Sequence, residues 1–72
     1  MNGTEKPEAI RVPAKVLEGI EAVRRSGLVS MLDRNGVADV AMALGLPAVA
    51  AWVVAEPGRY ARGVFRGFEA EE

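Results

Sequence analysis

Apolar residues near the start of the chain recur at helical spacing. Val12, Val16, Leu17, Ile20 and Val23 share one face, while Lys15, Glu18, Arg24 and Arg25 fall on the other. Pro13 suits the first helical position, where a missing N–H costs nothing, and Gly27 supplies a left-handed stop. This predicts a first helix over 13–26, with Glu21 and Arg25 as an i,i+4 ion pair. Gly19 inside it costs about 1 kcal/mol relative to alanine, so a close backbone approach is expected there. Leu28 to Leu32 reads as a short apolar connector, too brief for a paired strand. Asp33 is then a good N-cap for a second helix over 34–44, whose buried stripe is Val37, Val40, Ala41 and Leu44 and which Gly45 ends. A third helix over 47–55 starts at Pro47, and a fourth over 57–67 starts at Pro57. Period-2 alternation is not apparent in the pattern, so the expected class is all-α, a compact bundle of about four short helices.

Both ends read as tails. Residues 1–11 are largely polar or helix-breaking, with too little apolar surface to offset the entropy of ordering, and 69–72 form an acidic end. A single helical domain over 12–68 is left between them, and 72 residues allow only one small core. The chain has no Cys and no His, which removes disulfides, structural zinc, thiolate nucleophiles and imidazole acid–base chemistry. Nine Lys and Arg against ten Asp and Glu give a net charge of −1, so no overall basic field draws the protein onto nucleic acid or anionic membrane. Met1 leads into Asn-Gly-Thr-Glu-Lys-Pro-Glu rather than a basic and then apolar stretch, which predicts a cytoplasmic address.

Candidate chemistry is sparse. Leu46 to Ala55 contains no polar side chain, and a helix apolar all round must be surrounded by protein or lipid. Gly45 and Pro47 interrupt the run, which is too short for a bilayer. Self-association is therefore expected, dimer first, through Val49, Trp52 and Val53, with a central core helix in a monomer as the alternative. The second and third predicted helices have a helix-turn-helix rhythm, but the third offers Ala48, Val49, Ala50, Ala51 and Trp52, none able to make a bidentate base contact. Asp33-Arg34-Asn35-Gly36 looks superficially like a calcium loop, yet lacks the alternating oxygen ligands and closing Glu that one requires. No metal, cofactor or catalytic site is expected. Arg59, Arg62 and Arg66 instead share one helix face with no acid between Pro57 and Phe68, and Tyr60 and Phe65 are interleaved. Arginine forks match carboxylate or phosphate, which makes Arg59, Tyr60, Arg62 and Arg66 the expected partner-binding set, against a solvated helix face as the plain alternative.

Val16-Leu17, Ile20, Arg24, Ser26-Gly27, Met31-Leu32-Asp33, Asn35, Val37 and Gly45 carry a pattern that can be written R-x-S-G-x-x-S-M-L-D-x-N-x-V around its centre. With Tyr60, it resembles a family of small bacteriophage and prophage proteins classed as a domain of unknown function. Members are richer in Lys, Glu and aromatics in the third helix, where this chain has Ala and Val. The resemblance implies a phage or mobile-element origin and assigns no activity. The expected function is a non-enzymatic interaction protein that blocks a host or defence protein by binding it in the host cytoplasm, with Trp52 and the Arg59–Arg66 face as anchors. The alternatives are a helix-turn-helix-like DNA-binding regulator, with Arg24, Arg25, Arg34 and the last helix on phosphates, and an oligomeric sponge for an anionic nucleotide signal, with Arg59, Arg62 and Tyr60 lining a shared pocket.

Overall fold

Where two tails were expected, the chain closes on itself. A computed structural model describes residues 8–71. Its element order is β1 (Ile10–Pro13), α1 (Ala14–Ser26), α2 (Arg34–Ala43), α3 (Pro47–Ala55), α4 (Pro57–Arg66) and β2 (Phe68–Glu71). β1 and β2 pair in parallel, with Ile10 opposite Phe68 and Pro13 opposite Glu71, and the Ile10 N–H donates to the Gly67 carbonyl (2.9 Å). Parallel neighbours require a long crossover, and here all four helices supply it. The protein is thus mostly helical but not purely all-α, and two expectations are corrected: Ile10 and Arg11 are not tail, and Glu69 to Glu71 are not a frayed end. Residues 1–7 and 72 lie outside the described residues.

The strands form because each alternates after all. Ile10, Val12, Phe68 and Ala70 turn towards the helices, while Arg11, Pro13, Glu69 and Glu71 face outward. Arg11 Nε and a Glu69 carboxylate oxygen, paired across the outer face, lie 3.3 Å apart. Pro13 ends β1 and caps α1, a position where its missing donor costs the ladder nothing.

The four helices lie where the apolar spacing places them, to within a residue at each end. Gly27 closes α1 in the left-handed region at φ 68°. The expected Glu21–Arg25 pair is not formed; Glu21 pairs with Arg24 instead (2.6 Å, i,i+3). Asp33 caps α2, its carboxylate accepting from the Gly36 N–H at 3.0 Å. Val12, Val16, Ile20, Val23, Val37, Ala41, Val49, Val53 and Tyr60 make the core, and no charged side chain is buried among the described residues. Leu17 and Val40 pack at its edge, while Leu44, expected in the stripe of α2, is partly exposed because it falls just past the helix end. At Gly19, α1 meets α3: a Cβ there would overlap a Val49 methyl group. The close approach expected from that glycine is therefore real, and it lets Val49 sink into the centre.

Candidate functional site

α3 and α4 hold every candidate residue, and the structure sorts them differently from the apolar and charged pattern alone. Val49 and Val53 are buried in the protomer's own core, at 1% and 0% exposure, so they are corrected from dimer interface to core. A helix with apolar residues all round can still be half covered by a small chain, provided that its outer residues are small. Pro47, Ala48, Ala51, Val54 and Ala55 are the residues left outside. Trp52 lies between the two conditions, half-buried, with its ring 6.1 Å from that of Phe68 in an edge-on arrangement.

Tyr60 is likewise corrected from surface to core. It is 2% exposed, and its hydroxyl donates to the Met31 carbonyl of the connector before α2 (2.5 Å). Burial, and secondarily the negative charge of Asp33, push its hydroxyl above the usual tyrosine range. Tyr60 therefore positions α4 rather than meeting a partner. Gly63 supports the same packing, since it lies so close to the Phe68 ring that a Cβ would collide with it.

With Tyr60, Gly63 and Val64 inward, the remaining positions of α4 follow at about 100° per residue. Arg62, Phe65 and Arg66 fall together on the outer face, and all three are exposed. Phe65 is 81% exposed, the most exposed large apolar residue among those described. Phe65 takes no part in anchoring α4: it stands on the opposite side from Tyr60. One flank of this face borders a hollow of about 320 Å³ lined by Met31, Leu32, Arg34, Pro57, Ala61, Val64 and Phe65, with the nearly buried Tyr60 in its wall. Leu32 is also largely exposed there.

Arg59 behaves differently from the other two arginines. It is half-buried, its guanidinium donates to the Arg11 carbonyl at 2.6 Å, and it lies 5.8 Å from the centre of the Trp52 ring. Arg11 points its backbone groups away from β2, because alternate residues of a strand face opposite edges and Ile10 faces β2. Arg59 therefore covers part of the free edge of β1, the kind of protection that edge strands need against strand addition. Its role is structural as well as electrostatic. On the other flank of the outer face, Arg59, Arg62 and Arg11 border a second, larger hollow of about 670 Å³ together with Glu8, Ile10 and Glu69.

The exposure of Phe65 was the feature that periodicity could have found, since Phe65 lies five residues from Tyr60 and two from Gly63, off the inward stripe. α3 presents no hydrogen-bonding side chain on its outer face for base edges to meet. No helix of the described residues is long and apolar enough to cross a membrane. Comparison of the chain with family models, with curated proteins and with solved structures returns no match.

Proposed function

We propose that this protein is a non-enzymatic interaction module whose outer α4 face docks onto another protein and blocks it by occupancy. The observation that carries the reading is Phe65, exposed between Arg62 and Arg66 on a helix fixed from behind by Tyr60. Exposed aromatic and arginine residues dominate the energetics of protein interfaces, and a rigid element presents them without ordering cost. The partner surface that fits is acidic around an apolar pocket able to take a phenyl ring, with Leu32 as a second apolar contact. The resemblance to phage and prophage proteins makes a host or defence protein the natural target, met in the host cytoplasm.

The rival readings draw less support. The nucleotide sponge needed Tyr60 in a shared pocket, and Tyr60 is core. The DNA regulator needed polar side chains on the outer face of α3. The dimer through Val49, Trp52 and Val53 has lost two of its three residues to the core, leaving the small outer side chains of α3 for any self-association. The reading is tested by affinity capture from host lysate with wild type, Phe65→Ser and the Arg62→Glu/Arg66→Glu double variant. The specific band present with wild type should be lost with both variants while their helicity is unchanged. A band retained by both assigns binding to another surface.

A further inference from the structure

Three arginines from two separate elements line the hollow between β1 and α4. Arg11 comes from the strand, and Arg59 and Arg62 from the helix. We propose that this hollow is a carboxylate-binding site that takes an acidic side chain of the partner protein, a proposal that rests on the docking role of α4. The wall of the hollow already shows the chemistry. Glu69 on β2 holds its carboxylate against Arg11, which engages one of the three cations. Arg59 is held by the Arg11 carbonyl and the face of Trp52, so its guanidinium stays at the rim in a fixed orientation. The Arg62 side chain makes no hydrogen bond or ion pair among the described residues and is the cation left to receive a ligand.

Charge decides which anion fits. The hollow has three arginines against two carboxylates, Glu8 and Glu69, an excess of one positive charge. One carboxylate neutralises that excess. A phosphate dianion or a polyphosphate overshoots it and leaves the site net negative, which is unfavourable in a partly enclosed site. A volume of about 670 Å³ admits a whole acidic residue with its backbone, not only a small ion. Arginine suits this role better than lysine because its planar fork can meet both carboxylate oxygens at once.

The test follows the arginine Nε–Hε signals of the full chain by NMR during titration with N-acetyl-glutamate amide. N-acetyl-glutamine amide serves as the uncharged control and inorganic phosphate as the competing anion. The proposal expects a saturable shift at Arg62 with the glutamate probe, none with the glutamine probe, and binding weakened at least about tenfold by Arg62→Gln. It expects Arg25→Gln, on α1 and outside the hollow, to leave the titration unchanged. Equal shifts from the two amides, a non-saturating response, or a response that survives Arg62→Gln overturns it. Phosphate binding tighter than the glutamate probe overturns the carboxylate assignment. The docking role fails separately: a titration that succeeds while Phe65→Ser retains partner capture keeps the site and removes the α4 face. Capture that depends on Phe65, together with a failed titration, does the reverse.

Discussion

α3 and α4 are neighbouring helices of nearly equal length, and their sequences invite opposite conclusions from the ones their surroundings support. α3 has no charged or polar side chain, yet it turns its larger residues Val49 and Val53 inward and leaves mostly alanine outside. α4 carries three arginines and two glycines, yet it exposes a phenylalanine almost completely. The lesson is about size rather than polarity. An outward alanine exposes little apolar area and needs no partner, whereas an outward phenylalanine exposes a large one that water does not favour. Hydropathy makes α3 the sticky helix; side-chain volume on the exposed face makes α4 the candidate.

The strongest way to break this comparison is a charge placed on either side of α3. Val53→Asp should destabilise by about 4 kcal/mol or more, enough to unfold a domain of this size, because it buries an unpaired carboxylate. Val54→Asp, one residue along but 58% exposed, should stay within about 0.5 kcal/mol and leave the hydrodynamic size unchanged. Urea unfolding and light scattering read both, and equal costs would mean that α3 does not face as described. Gly19→Ala should cost about 1 to 3 kcal/mol by forcing Val49 and α3 away from α1. Thermal unfolding measures the loss.

Tyr60→Phe sharpens the α4 side. It leaves the Met31 carbonyl without its donor and should cost about 1 to 2 kcal/mol. It should also change the response to alkali. The folded hydroxyl ionises later than the unfolded one, so wild type keeps this stabilising contribution below about pH 10 and loses it as pH rises towards the folded value. The phenylalanine variant should lack that part of the decline. Asp33→Ala, which removes the cap of α2, should cost about 1 kcal/mol without altering the outer α4 face. Denaturant titrations of both variants at neutral and alkaline pH check the two claims together.

Much of the helical framework is legible from spacing. Pro13, Pro47 and Pro57 mark helix starts, Gly27 and Gly45 mark stops, Asp33 marks a cap, and the glycine inside α1 announces a close neighbour. The two strands are not legible in the same way. Each offers only four residues, and Ile10-Arg11-Val12-Pro13 gains its meaning only from Phe68-Glu69-Ala70-Glu71, which lies far away in sequence. Pairing between chain ends leaves no local signature such as a turn. The Arg59–Arg62–Arg66 spacing groups three arginines on one side of α4, but the division of labour within that group depends on β1. Arg59 is engaged by a strand that spacing alone does not reveal, and Tyr60 is buried by a connector carbonyl.

The most direct test places a photo-reactive benzoyl-phenylalanine at position 65 of α4 in one sample and at position 54 of α3 in another, then irradiates each in bacterial cell lysate. Both side chains are exposed, so neither replacement should disturb folding, and the two samples differ only in which helix carries the probe. The account predicts one specific heteromeric adduct from position 65, suppressed by excess unlabelled wild type, and none from position 54. An adduct from position 54 alone, whether to a second copy or to another protein, would contradict it.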